Sequence, residues 1–94
     1  MKFTTHQGRD AGDVKLYALS TCVWCGKTKN LLSDLGVKFE HVDVDELSGK
    51  QQLEIRKQLD ALDPDWRFPC VVIDGGRACI CGFKEDKIRE ALGS

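Results

Sequence analysis

The sequence lacks long apolar runs, and this absence bears on where the protein acts. Its longest uninterrupted apolar stretches resemble residues 70–73, whereas a membrane-spanning helix needs ~20 apolar residues. The first thirteen residues also lack the apolar core of a secretory signal peptide. We therefore expect a cytoplasmic protein that does not act in a membrane.

An excess of positive charge is missing as well. Fourteen basic residues stand against fifteen acidic ones, which leaves a formal net charge of −1. Proteins that bind nucleic acid usually carry a clustered basic excess, so we expect no nucleic-acid partner. The 94 residues leave room for one small domain, and we expect it to be monomeric.

Hydrophobic periodicity predicts a loose polar tail over residues 1–13 and a single domain over residues 14–94. The domain is expected to be α/β, with elements in the order β-α-β-α-β-β-α. A helical crossover makes the first two strands parallel, and the turn at Gly75 and Gly76 makes the last two antiparallel. These connections predict a mixed four-stranded sheet with helices on both faces. The predicted strands cover residues 14–19, 37–44, 70–73 and 77–81, and the helices begin near residues 22, 48 and 85.

Five cysteines are present, and their odd number does not suit a fully paired secreted disulfide scaffold. Cys22 and Cys25 form a Cys-x-x-Cys pair at the start of the predicted helix that follows the first strand. Unpaired N–H groups and the positive end of the helix dipole stabilise a thiolate at that position. Cys25 lies one helical turn further on, within reach of a mixed disulfide on Cys22. The pattern predicts Cys22 as the attacking nucleophile and Cys25 as the resolving thiol.

With these residues in place, the sequence resembles the glutaredoxin family of the thioredoxin fold from Val14 to Gly93. The resemblance rests on four segments in the right order: 22–25 after the first strand, 42–45 after the second, 68–69 before the third, and 82–83 before the last helix. It implies the thioredoxin/glutaredoxin fold and a thiol–disulfide oxidoreductase that reduces protein disulfides or glutathione mixed disulfides.

The same resemblance assigns site residues. The catalytic pair is Cys22 and Cys25. In the family, the proline matching Pro69 is cis and packs against the dithiol, while the residue before it offers its backbone to the substrate chain. The implied substrate-binding residues are Trp24, Phe68, Pro69, Gly82 and Phe83.

The sequence departs from glutathione-dependent members of the family at positions that matter for the electron source. Val23 and Trp24 replace the usual Pro-Tyr pair, Leu19 replaces a lysine, and Lys84 stands where an acidic residue is usual. We therefore predict that glutathione is a poor reductant, since these side chains do not suit its charged groups. The pattern is more similar to redoxins that supply electrons to ribonucleotide reductase and are reduced by thioredoxin reductase.

This likeness implies a role in electron transport and cell redox homeostasis. We expect no tightly bound cofactor, with electrons coming from thioredoxin reductase and NADPH or from glutathione. The expected partner is a disulfide-containing protein such as ribonucleotide reductase.

Two alternatives to an oxidoreductase come from the cysteines themselves. Cys22 and Cys25, together with later cysteines, are suitable ligands for zinc or an iron–sulfur cluster. A metal-binding module of this kind would carry metal in proportion to protein. The other alternative is an inert interaction domain with a structural disulfide, which would resist dithiol reductants.

Cys70, Cys79 and Cys81 are not explained by the family resemblance. A loop at residues 75–76 sets Cys70 opposite Cys81, whereas a loop at residues 74–75 sets it opposite Cys79. Either register places all three thiols on one face of the sheet. They are either small, inert core residues or a second redox pair or metal-capturing cluster beside the dithiol.

Overall fold

A computed structural model describes residues 3–92 of the chain. Residues 1–2 and 93–94, where the predicted tail begins and the predicted domain ends, lie outside the described residues. Within 3–92, no helix has the length and apolar character needed to cross a membrane. The elements are β1 (Thr4–His6), β2 (Val14–Ala18), α1 (Val23–Asp34), β3 (Phe39–Asp43), a short 3-10 helix (Val44–Glu46), α2 (Gly49–Leu62), β4 (Cys70–Ile73), β5 (Ala78–Cys81) and α3 (Glu85–Leu92).

The strands form one mixed sheet in the order β1-β3-β2-β4-β5. β2 and β3 are parallel, while β2 and β4, and likewise β4 and β5, are antiparallel. The predicted α/β fold and the directions of its strands are therefore confirmed. Over the described residues, however, the sheet has five strands, so the prediction of four is wrong.

The additional strand comes from the segment predicted to be a loose tail. β1 pairs antiparallel with β3, with His6 opposite Phe39, and the His6 ring stacks on the Phe39 ring at a centroid distance of 4.3 Å. The prediction of a loose tail is therefore wrong for residues 4–6. This strand is stabilised by its pairing with β3, which is distant in sequence. Its own three polar residues show no hydrophobic periodicity that would predict a strand.

The two faces of the sheet carry separate halves of the core. One half contains β4 residues Val71 and Ile73 and is covered by α1 and α3. The other contains Cys70 and Val72 and is covered by α2. Because side chains alternate along a strand, neighbouring residues of β4 belong to opposite halves. Sequence neighbours in this strand therefore have different surroundings.

The turn between β4 and β5 decides the register of the later cysteines. Asp74, Gly75 and Gly76 all adopt positive φ, the conformation that turns of this kind require. As a result, Cys70 lies opposite Cys81. The register predicted for a loop at residues 75–76 is confirmed.

Candidate active site

Cys22 is the residue that begins α1. It has extended backbone angles (φ −87°, ψ 119°), and its sulfur accepts a hydrogen bond from the Cys25 N–H at 3.3 Å. Backbone N–H groups in the first turn of a helix point along the helix dipole, and their donation favours a negatively charged group at this position. Cys22 is also partly exposed. Its sulfur therefore combines access from solvent with donors suited to an anion.

Cys25 has different surroundings although it lies only three residues away. It is fully buried (0% exposed) in the core half beneath α1. Burial, followed by its hydrogen bond to Cys22, raises the pKa of the Cys25 thiol to about 12, while the Leu19 N–H and the charge of Lys29 act in the opposite direction. Cys25 is thus protonated at neutral pH and shielded from large partners.

The loop that leads into Cys22 is held by a contact that sequence analysis did not assign to the site. Asp45, in the 3-10 helix after β3, accepts hydrogen bonds from the Ser20 N–H at 2.9 Å and from the Ser20 hydroxyl. These bonds hold the pKa of Asp45 below its usual value. Asp45 closes the segment 42–45 that carried part of the family resemblance, and this was the signal that could have identified it.

A groove beside the dithiol brings together four of the predicted substrate-binding residues. It has a volume of about 290 Å³ and is lined by Trp24, Arg67, Phe68, Gly82 and Phe83. The rings of Trp24 and Phe83 lie 5.4 Å apart between centroids. Trp24 is 53% exposed, so this aromatic pair is open to a partner. Arg67 lines the groove as well, although it was not among the predicted site residues.

The Phe68–Pro69 peptide bond is cis, as the family resemblance implied. Pro69 is buried, and its carbonyl oxygen accepts a 2.8 Å hydrogen bond from the Gly82 N–H. Gly82 has φ +77°, and a Cβ at this position would lie 3.0 Å from Nε of Arg67. The left-handed backbone conformation therefore favours glycine here, and the nearby arginine side chain is exposed and can shift.

The sheet separates the later cysteines from the dithiol. Cys70 and Cys81 belong to the core half covered by α2, whereas Cys25 belongs to the half covered by α1 and α3. Of the two alternatives for these cysteines, a cluster beside the dithiol is therefore wrong, because β4 and β5 direct these side chains to the far face. Among residues 3–92, no group of three or more His, Cys, Asp or Glu side chains is arranged to hold a metal ion.

A larger cavity, of about 540 Å³, lies between the end of α2 and the sheet. Its lining includes Tyr17, Leu59 and Leu62, and no cysteine contributes to it among the described residues. The smaller groove is lined by Trp24, which lies between the two thiols Cys22 and Cys25 in the sequence. The groove and the dithiol are therefore the candidate active site.

The protein has a mixed sheet of this topology, a Cys-x-x-Cys pair at the start of the first long helix and a cis-proline loop. These three features define a thiol–disulfide oxidoreductase of the thioredoxin fold. The glutaredoxin family model matches residues 14–77, which is more than half of the chain. The chain belongs to the glutaredoxin family.

Individual relatives agree with this placement. The chain is 47% identical to methanoredoxin from Methanosarcina acetivorans, with a TM-score of 0.90 and coverage of 97% of this chain and 96% of that one. It is 28% identical to the glutaredoxin-like protein NrdH-redoxin from Escherichia coli, with a TM-score of 0.65 and coverage of 83% and 92%. It is also 31% identical over 79 residues, 84% of this chain and 96% of the other, to an uncharacterised glutaredoxin-like 8.6 kDa protein in the rubredoxin operon of Clostridium pasteurianum.

Proposed function

We propose that the protein reduces disulfides of partner proteins through Cys22, with Cys25 as the resolving thiol. The observation that carries this proposal is the contrast between the two sulfurs. The sulfur of Cys22 is accessible and accepts a backbone N–H at the start of α1. The thiol of Cys25 is buried, with a pKa raised to about 12. A partner disulfide therefore reaches Cys22 first.

The reaction then proceeds in two exchanges. The Cys22 thiolate attacks one sulfur of the partner disulfide, that S–S bond breaks, and the departing partner thiolate takes up a proton. Cys25 next loses its proton and attacks the Cys22 sulfur, which releases the second partner thiol and leaves a Cys22–Cys25 disulfide. The Leu19 N–H, 3.4 Å from the Cys25 sulfur, and the charge of Lys29 favour this deprotonation. An external thiol reductant then returns both cysteines to the reduced state.

The groove supplies the surface on which we propose the partner chain lies. The backbone of the partner chain runs along Phe68 and Pro69, as in the family. The side chains of the partner contact the rings of Trp24 and Phe83. Gly82 leaves room for this approach because it has no side chain. Such contacts are sequence-tolerant, which suits a reductant of several proteins.

For the electron source we propose thioredoxin reductase and NADPH in preference to glutathione, with no tightly bound cofactor. Support comes from Leu19 and Lys84 at the positions where the family holds glutathione. The similarity to NrdH-redoxin, described as having a thioredoxin-like activity profile, points the same way. Ribonucleotide reductase is the partner that we propose to test first, and the cytoplasm is the proposed location.

The roles of the two thiols are tested by single substitutions. We expect Cys22→Ser to abolish reduction of insulin disulfides, because the accessible nucleophile is removed. We expect Cys25→Ser to accumulate a mixed disulfide with its substrate, visible by mass spectrometry under non-reducing conditions, because the second exchange cannot occur. Cys79→Ser is the matched control and should retain activity. Full activity of Cys22→Ser would reverse the assignment.

A further inference from the structure

Three cysteine sulfurs meet on the face of the sheet that does not carry the dithiol. The sulfurs of Cys70 and Cys81 lie 2.7 Å apart, and those of Cys79 and Cys81 lie 3.5 Å apart. All three thiols are free in the structure. The proposed reaction at Cys22 and Cys25 uses none of them, so the cluster requires an explanation of its own.

The register of the hairpin selects one pair within this cluster. Cys70 and Cys81 are directly opposed on antiparallel strands, where Cβ atoms lie ~4.5–5.5 Å apart. A disulfide needs a Cβ separation of ~3.8 Å and an S–S bond of about 2.05 Å, so a small local approach of the strands suffices. Cys79 and Cys81 lie two residues apart on one extended strand, which is a less favourable geometry for a bond.

We propose that Cys70 and Cys81 form a second, reversible disulfide, which a small hydroperoxide generates and a dithiol reductant removes. This site is independent of the Cys22–Cys25 pair, because the sheet lies between the two. Cys79 is only partly buried. Cys81 is 5% exposed and Cys70 is fully buried, so large disulfides do not reach them directly.

The chemistry of the cluster makes Cys81 the sulfur that reacts first. Hydrogen bonds from the Cys70 and Cys79 thiols lower the pKa of Cys81 to about 7. Its thiolate attacks one peroxide oxygen, the O–O bond breaks, and the other oxygen leaves as water or an alcohol after taking up a proton. The Cys81 sulfenic acid then condenses with the Cys70 thiol: an S–S bond forms, the S–O bond breaks, and water leaves. Two thiols are oxidised and one hydroperoxide is reduced.

The position of this pair connects it to the groove. Cys70 directly follows Pro69, and Cys81 directly precedes Gly82. Pro69 and Gly82 are already joined by a backbone hydrogen bond. A Cys70–Cys81 disulfide would therefore draw together the two segments that form the floor of the groove.

Peptide mapping of the unmodified protein tests the proposal, because trypsin separates the two sites. Cleavage after Lys15 and Lys27 leaves Cys22 and Cys25 in one peptide, whereas Cys70 falls in peptide 68–77 and Cys79 and Cys81 fall in peptide 78–84. The reduced protein is treated with increasing concentrations of hydrogen peroxide. It is then unfolded in the presence of an alkylating reagent, which blocks the remaining free thiols, and digested without reductant. We expect peptide 68–77 to appear mainly linked to peptide 78–84 in monomeric protein, and the link to disappear with dithiothreitol.

Fragmentation of the linked species on either side of Ile80 distinguishes Cys81 from Cys79 as the partner of Cys70. Cys79→Ser is the matched variant and should retain the link, whereas Cys81→Ser should lose it. The proposal is overturned if Cys70 remains fully alkylated at peroxide doses that oxidise the Cys22–Cys25 peptide completely. A link through Cys79, or one found only between two chains, would also overturn it.

Discussion

The proposed electron source rests on the side chains of Leu19 and Lys84. Leu19 is half-buried and donates its backbone N–H to Cys25, while Lys84 is exposed just before α3. Neither provides the charge that would pair with glutathione at its position in the family. At the scale of single residues, the proposed preference for thioredoxin reductase over glutathione therefore rests on charge.

Replacing Leu19 by lysine tests this dependence. We expect Leu19→Lys to raise turnover with glutathione and glutathione reductase about two- to five-fold, because an exposed ion pair contributes ~0.2–1 kcal/mol. The measurement is NADPH consumption in the coupled assay, compared with thioredoxin reductase as the alternative reductant. Leu53→Lys, which adds the same charge at an exposed position of α2, should change neither rate. Efficient turnover of the unmodified protein with millimolar glutathione would contradict the prediction.

At the scale of elements, the start of α2 is fixed by the spacing of Ser48 and Gln51. Ser48 accepts a hydrogen bond from the Gln51 N–H at 3.2 Å, and the Gln51 side chain accepts one from the Ser48 N–H. This reciprocal pair satisfies backbone donors that the first turn of the helix leaves free. Ser48 and Gln51 therefore form a capping box at the start of α2. It stabilises the helix that covers the cysteine cluster.

Removing the cap should affect stability but not catalysis. We expect Ser48→Ala to lower the free energy of unfolding by about 1 kcal/mol and the melting temperature by about 4–8 °C. Disulfide reduction at 25 °C should be unchanged, because α2 lies on the face opposite the dithiol. Ser33→Ala, at an exposed position in the last turn of α1, is the control and should not destabilise the protein. An equal loss of stability in both variants would exclude the cap as the cause.

His6 on the edge strand β1 contacts His41, whose ionisation should be visible in the stability of the protein. Nε2 of His6 lies 2.6 Å from Nδ1 of His41 on β3. Burial lowers the pKa of His41, and Lys29 and His6 act in the same direction, against the carboxylate of Asp43. The folded protein therefore favours the neutral form of His41.

Because the pKa of His41 is lower in the folded than in the unfolded chain, the unfolded chain binds more protons between the two values. The stability contributed by neutral His41 is present above the ordinary histidine pKa of ~6.5 and is lost as pH falls through the folded value. Urea unfolding between pH 8 and pH 5 should show this decrease in the unmodified protein, and His41→Gln should reduce it. Ser48→Ala should keep the same pH dependence at lower overall stability. A decrease of equal size in His41→Gln would contradict the assignment.

On the scale of the whole molecule, the segment before β2 joins parts that are distant in sequence. Besides the β1–β3 ladder, the Arg9 N–H donates to the Gly36 carbonyl at 2.7 Å, and the Lys38 N–H donates to the Arg9 carbonyl at 2.8 Å. The Arg9 guanidinium also contacts the Leu92 carbonyl at the end of α3. None of these residues lines the groove. We therefore propose that residues 14–94 are the catalytic domain.

Deleting residues 1–13 tests this division. We expect a folded protein whose free energy of unfolding is lower by about 2–4 kcal/mol, because several backbone hydrogen bonds of ~0.5–1.5 kcal/mol each are lost. Its rate of disulfide reduction at 25 °C should stay within two-fold of the full chain. Chemical unfolding and the insulin assay measure the two quantities on the same sample. Loss of activity in a protein that remains folded would place part of the site in the deleted segment.

Features that depend on interactions between near neighbours could be predicted from the order of residues alone. Helix periodicity, the Ser48 position and the turn at Gly75 and Gly76 act within a few residues, so the order of elements from β2 onward followed from them. The sequence left two registers open for the last hairpin, and the conformation of its turn selects the one that sets Cys70 opposite Cys81. The strand-to-helix position of Cys22 likewise identified the nucleophile that we propose.

Contacts between groups distant in sequence depend instead on how the strands and helices pack together. β1 is a strand because β3 lies beside it, and Asp45 and Arg67 join the site because the sheet brings their loops to the end of β2 and to the groove. The later cysteines lie behind the sheet rather than beside Cys25, because α1 packs on one face while β4 and β5 direct these side chains to the other. Periodicity shows that residues share a face, but the packing of the helices decides which face carries the dithiol.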